Sequence, residues 1–201
     1  MKEKALGHII LASTSPRRQE LIASLRLPFE IMPSDANEDT PFGWEPSMVV
    51  ETLSLRKADA VYRKLSESDS NAIIVGSDTI VVLEGDILGK PMDDKDAVRM
   101  LSVLQGRTHQ VYTGVACVDA LTGQSIVRHR ITSVSMKPLN DEQIMSYVRS
   151  GEPADKAGAY AIQGLGAAIV NSIEGDYFNV VGLPISLLSD MLSEMGMDVL
   201  S

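Results

Sequence analysis

Apolar runs and amphipathic helices alternate along the first half of this chain, and that order leaves few architectures open. Residues 8–12, HIILA, are rich in β-branched side chains and read as a buried strand. Ser15 and Pro16 then supply a helix N-cap and a first-turn proline, and Leu21, Ile22 and Leu25 share one face of the helix that follows. Residues 29–32 read as a second strand, and 33–46, with three prolines and a glycine, as a long loop. A helix over 46–65 places Val49, Val50, Leu53, Ala60 and Val61 at helical spacing. IIVGSDTIVVL, 73–83, is apolar at nearly every position except its centre. A helix over 94–104 follows, then two strand-like segments flanking ALTG as a hairpin. A helix over 141–149, a glycine-rich stretch and a closing helix over 184–195 complete the chain. Early βα alternation followed by a hairpin specifies an α/β fold with a mixed central sheet flanked by helices. No repeat, low-complexity tract or linker divides the chain, so residues 1–201 are expected to form a single domain.

Charge narrows the function. The net charge is −9, which argues against general binding of nucleic acid, a task that wants a basic face. Any anion bound here must be caught by a local cluster of cations. No stretch approaches the roughly 18 apolar residues of a membrane span, and the apolar run after the lysine-bearing start is too short for a signal peptide. The lone cysteine, Cys117, lies in an apolar run and reads as a buried structural thiol; with no partner for a disulfide, it suits a reducing cytoplasm.

Against this background the position of each cation carries information. LASTSPRRQEL, 11–21, puts Arg17 and Arg18 in the first turn of a helix, where the dipole disfavours positive charge. Ser13, the free N–H groups of the turn and two guanidinium forks are the ingredients of a phosphate site. A capped surface helix with solvated arginines, one paired to Glu20, is the other reading. Lys57 follows Leu53 and precedes Val61 by four residues each, which sets it on the apolar stripe of its helix. There it either snorkels to water or reaches an anion in a polar cavity. Arg56 and Arg63, on the other face, read as solvated charges. Asp78 interrupts a run of valine and isoleucine. Either GSDT is a turn capped by Asp78, or a buried carboxylate there must pair with a cation or hold a metal. DKAGAYAIQG, 155–164, supplies Lys156, Tyr160 and Gln163 among small residues that suit close approach to a ligand, tight packing or a mobile loop. Lys90 in LGKP, by itself, reads as a surface lysine. The acidic loop DANEDT, 35–40, offers oxygen ligands for magnesium or is solvated. His8, His109 and His129 show no metal-ligand spacing, and neither a nucleophile elbow nor a Walker or dinucleotide glycine loop is present.

Together these segments resemble the Maf family of nucleoside triphosphate pyrophosphatases. The resemblance runs through LASTSPRRQEL, the loop with Glu38, RKADAV, GSDTIV, LGKP, HQVYTG, DKAGAYAIQG and VVGLP, in that order. It implies two lobes around a cleft, similar to the inosine triphosphate pyrophosphatases. It also implies cleavage of a nucleotide between its α and β phosphates with a divalent cation, magnesium or manganese. By position, Asp78 matches the family's catalytic aspartate. An ordinary aspartate is a weak base at neutral pH, so Asp78 is expected to act on a metal-acidified water or to ligate the metal. Ser13, Arg18, Lys57, Lys90 and Lys156 match the triphosphate-holding set, and Glu38 an acidic residue near the metal. SPRR with the IQG glutamine resembles the branch acting on dTTP and UTP, in which Arg17, Thr79 and Gln163 match positions linked to base choice. A glutamine amide can answer the carbonyl and N–H that uracil and thymine present side by side. Ser77 and Ala161 depart from the residues frequent there without removing a functional group. The resemblance further implies a homodimer. A second function, nucleotide-binding regulation of cell division without significant turnover, follows from the family's link to septum formation.

Overall fold

A computed structural model describes residues 7–65 and 71–200; the lysine-bearing start, 1–6, lies outside the described residues. The elements are β1 (His8–Leu11), α1 (Pro16–Ser24), β2 (Phe29–Ile31), α2 (Pro46–Tyr62), β3 (Ala72–Leu83), β4 (Asp86–Leu88), α3 (Asp94–Leu104), β5 (Thr108–Asp119), β6 (Ser125–Met136), α4 (Asp141–Arg149), β7 (Val170–Glu174), α5 (Tyr177–Val181) and α6 (Ile185–Glu194). Of these, β4, β7 and α5 were not expected from the sequence. Three 3₁₀ turns, Glu152–Asp155, Ala157–Ala159 and Gly164–Ala168, carry the chain from α4 to β7. The seven-stranded sheet runs β2-β1-β3-β5-β6-β7, with β4 on β3. It is mixed: β1 is parallel to β2 and β3, whereas β3–β4 and β6–β7 are antiparallel. No described helix is long and apolar enough to cross a membrane.

The chain groups into two compact units, one from the described parts of Met1–Asp78, Gly114–His129 and Gly182–Ser201, the other from Thr79–Thr113 and Arg130–Val181. In the first unit the β1–β3 register, with Ile9 opposite Ile73 and Leu11 opposite Val75, lines up two apolar rows. Ile9, Leu11, Ile73 and Val75 pack with Ile22 of α1 and with Leu187, Leu188, Met191 and Leu192 of α6. The alternate residues Ile10 and Ile74 face Ala58 and Val61 of α2. These strands are thus buried on both sides, and each fully buried isoleucine contributes about 1.5–3 kcal/mol. Cys117 lies in the first of these clusters, and burial pushes its thiol up to about 12, as an inert structural cysteine requires. Helix α2 sits hard against the sheet: a side chain at Gly76 would strike the Ser54 carbonyl, and one at Gly114 the Val50 carbonyl. Its inner face carries Ala58 where spacing suggested Ala60, which is half-buried.

The second unit has its own core. Val81, Leu83 and Leu88 pack with Met100, Leu101 and Leu104 of α3, Ile144 and Val148 of α4, and Tyr160. Local chemistry sets its boundaries: Asp93 accepts from the Asp96 N–H at 2.8 Å to start α3, and Asn140 and Gln143 exchange hydrogen bonds of 2.9 Å as a capping box on α4. The hairpin of β5 and β6 closes in the first unit, where the Asp119 carboxylate accepts from the N–H groups of Leu121 and Thr122.

Candidate active site

Asp78 resolves the ambiguity of GSDT: β3 runs unbroken through it, so the residue is no turn cap. Its side chain is 10% exposed, and Lys57 Nζ lies 2.6 Å from its Oδ1. The same ammonium, only 12% exposed, is 3.0 Å from Oε1 of Glu38. Lys57 therefore does not snorkel; it extends from the sheet-facing side of α2 to join two carboxylates. Burying such charges costs several kcal/mol per ion unless they pair, and here the pairing is close.

The head of α1 belongs to the same unit. Arg18 Nε donates to the Gly182 carbonyl at 2.8 Å, and the Ser77 hydroxyl donates to the same oxygen at 3.0 Å. One carbonyl thus ties the first turn of α1 to β3, one residue before Asp78. Burial lowers the Arg18 guanidinium from its ordinary value, and the Arg17 charge adds to this, while Asp78 and Glu38 oppose it. An arginine keeps its proton throughout. This is no solvated surface arginine, and Arg17 is itself half-buried. Ser15 holds the expected N-cap position, but its side chain makes no capping bond among the described residues. Ser13, buried just after β1, accepts from the Ser15 N–H at 3.2 Å, which fixes the turn leading into the helix.

Arg56 corrects its reading as a solvated charge. Its guanidinium donates to the Asp39 carbonyl at 2.7 Å and the Asn37 carbonyl at 3.4 Å, bracketing Glu38. Lys64 reaches Asp35 of the same loop at 2.9 Å. Arg63 is exposed, as expected.

The second unit holds the other predicted residues. Thr113 Oγ1 donates to the Asn179 carbonyl at 2.8 Å, which leaves the Thr79 hydroxyl, 3.0 Å away, to donate to Thr113. Asn179, fully buried and not singled out beforehand, donates to the Val111 carbonyl and Thr132 Oγ1. Lys156 Nζ lies 2.6 Å from the Glu152 carbonyl and 2.7 Å from Asp155 Oδ1. Lys90 is exposed on the turn whose Gly89 carbonyl accepts from the Gly158 N–H at 3.0 Å. Gln163 is half-buried and extended at the head of a 3₁₀ turn. Tyr160 is anchored from beneath, its hydroxyl 2.7 Å from His109 Nε2.

The model of the Maf-like protein family matches residues 8–195. A relative from Moorella thermoacetica, named dTTP/UTP pyrophosphatase, is 50% identical over 96% of this chain and 98% of its own. Relatives of the same name from Desulforamulus reducens and Thermoanaerobacter sp. strain X514 are 49% and 52% identical; they cover 95% and 92% of this chain, and 98% and 94% of theirs. Among solved structures, that of the Staphylococcus aureus Ham1 protein aligns with a TM-score of 0.49 and 14% identity, over 81% of this chain and 79% of that one. With its motifs in order and a family match along nearly its whole length, the chain belongs to the Maf family.

Proposed function

We propose that this chain is a nucleoside triphosphate pyrophosphatase that hydrolyses dTTP, UTP and modified pyrimidine triphosphates to the monophosphate and pyrophosphate. The observation that carries this reading is the largely buried Asp78–Lys57 pair, with the exposed Glu38 on the same ammonium and Arg18 in its field, in a chain about half identical to relatives named for that activity. Two carboxylates meeting at one point are hard oxygen donors of the type magnesium and manganese take. Among the described residues no group of three or more His, Cys, Asp and Glu is placed to hold a metal. Magnesium needs no more than one or two carboxylates, because water and substrate phosphate complete its shell. Glu38 and Asp78 would hold it, and when bound it supplies positive charge against the phosphate oxygens and a more acidic water.

The chain's own residues do the rest. Asp78 accepts the proton released as water adds to the α-phosphorus, and the α–β bridging oxygen leaves with pyrophosphate. Lys57 neutralises the two carboxylates and presents its ammonium to phosphate, with Ser13 and Arg18 at the head of α1 as further donors. Lys90 and Lys156 have the same task in the second unit. Their charges stabilise what develops on the departing pyrophosphate. Arg17, Thr79 and Gln163 select the base, the Gln163 amide accepting from the ring N–H and donating to the adjacent carbonyl. A cytoplasmic setting and a homodimer complete the proposal.

The test is pyrophosphate release from pyrimidine and purine triphosphates with magnesium or manganese, and after chelation. Asp78→Asn is expected to lower kcat at least about a hundredfold. Undiminished turnover in that variant would overturn its assignment, and full turnover in chelator would overturn the metal's. Tight nucleotide binding without turnover in the wild type would favour the regulatory reading instead.

A further inference from the structure

Gln163 heads a 3₁₀ turn whose neighbouring residues are tied down on both sides, and the ties converge on Glu152. Oε1 of Glu152 accepts from the Tyr147 hydroxyl at 2.7 Å and from the Gly166 N–H at 2.8 Å. Oε2 accepts from the Leu165 N–H at 2.9 Å. The Tyr147 oxygen in turn accepts from the Ala161 N–H at 3.1 Å. Backbone donors two residues before Gln163 and two and three residues after it are therefore held by one carboxylate and the phenol bound to it. Glycine at 164 is part of the device. It has a φ of +62°, and a side chain there would strike the Glu152 carboxylate. The main chain of Glu152 takes part as well, its carbonyl receiving Lys156 Nζ at 2.6 Å. Burial alone would raise the carboxyl's pKa, but Tyr147, Gly166, Leu165 and Lys156 outweigh it and keep the group ionised. A carboxylate accepts from every side, whereas an amide at that place accepts on one oxygen only.

We infer that Glu152 is a positioning residue for base selection: with Tyr147, it fixes the 161–166 segment so that the Gln163 amide meets the pyrimidine edge in one orientation. This rests on the reading of Gln163 as the base-selecting residue. Thymine offers an N–H beside a carbonyl, where cytosine offers a bare ring nitrogen beside an amino group. A Gln163 amide held in one orientation distinguishes the two, and a loosened one does not.

The measurement is kcat/KM for dTTP and for dCTP in the wild type, Glu152→Gln, Tyr147→Phe, Gln163→Ala and the double variant Glu152→Gln/Gln163→Ala. Glu152→Gln keeps the shape but turns an amino group toward the Leu165 N–H. It is expected to reduce the dTTP-to-dCTP ratio at least about tenfold, mainly through the KM for dTTP. Tyr147→Phe, which breaks the link to Ala161, should do the same and carries the test if Glu152→Gln does not fold. The double variant should discriminate no worse than Gln163→Ala alone. Equal losses for both nucleotides would mark a merely structural role and overturn the inference. So would an unchanged ratio in Glu152→Gln and Tyr147→Phe while Gln163→Ala lowers it, which would leave the reading of Gln163 standing. An unchanged ratio in Gln163→Ala would overturn that reading and the inference with it.

Discussion

His109 offers a test of the second unit's packing that needs no substrate. Its ring is 2% exposed, Nε2 faces the Tyr160 hydroxyl at 2.7 Å, and Nδ1 is buried with no hydrogen-bond partner among the described residues. A bare lone pair at Nδ1 is tolerable there, whereas protonation would place an N–H donor and a charge in an apolar pocket with nothing to accept it. Burial accordingly pushes the imidazole from 6.5 down to about 4. Between those values the unfolded chain binds a proton that the folded chain does not, so stability rises with pH across that window and is lost as pH falls. Over the whole interval His109 accounts for about 3 kcal/mol, and between pH 7 and pH 5 for about 2 kcal/mol.

Urea denaturation at pH 7, 6 and 5, on the wild type and on His109→Gln, isolates this contribution, because every other titrating group is common to both proteins. Glutamine can still donate to the Tyr160 oxygen, but it does not titrate. At pH 7 the variant is expected to be the less stable of the two, since the imidazole's edge-to-face contact with Tyr160, ring centroids 5.3 Å apart, is lost. From pH 7 to pH 5 the wild type should then lose about 2 kcal/mol more than the variant. Parallel profiles would refute the argument, for they would mean that His109 is protonated as readily folded as unfolded.

Two further predictions concern the first unit. Gly76→Ala drives a methyl group into the Ser54 carbonyl of α2, a backbone atom that cannot rotate away. It should therefore lower stability by at least about 2 kcal/mol by overpacking, and a urea midpoint within error of the wild type would show that α2 rides the sheet more loosely. Arg56→Ala frees the carbonyls on either side of Glu38 while touching little of the core. Stability should change by less than about 1 kcal/mol, while the magnesium concentration for half-maximal turnover should rise several-fold. An unchanged value, in a protein where Glu38→Gln does raise it, would separate Arg56 from the placement of Glu38.

Much of the fold was legible because pattern carries it. The continuous apolar runs at 8–12 and 73–83 describe strands buried on both sides, and the helical spacing read over 46–65 describes a face to bury; both are buried, although α2 ends at Tyr62. The bounds read for α4, 141–149, hold, and the Asn140–Gln143 capping box is what sets its start. Where backbone rather than side chain decides, the reading slipped. Ser15 occupies the N-cap of α1 as read, yet its hydroxyl makes no capping bond among the described residues. Ala60 looked like a core residue, yet Ala58 faces inward; for a residue this small, both positions flank the stripe and hydropathy does not separate them.

The site divides along the same line. Lys57 and Asp78 were conspicuous because a charge in an apolar pattern has few comfortable outcomes, and each is the other's solution. Arg18, Arg56 and Glu152 were harder, and for one shared reason: each has main-chain groups among its partners. Gly182 lies 164 residues from Arg18, and nothing in its side chain marks its carbonyl as the acceptor. Asn37 and Asp39 present carbonyls that any residues would have presented. Leu165 and Gly166 give Glu152 only their N–H groups. Every residue carries such groups, proline lacking only the donor, so composition and spacing cannot single out the few that a fold turns toward a charge. The two arginines in the first turn of α1 illustrate the consequence. The dipole objection to a cation there is real, but a fixed carbonyl answers it for Arg18 as directly as a bound anion would. The geometry of that carbonyl leaves the guanidinium anchored through Nε, a posture that arises from the fold and that phosphate recognition can then use.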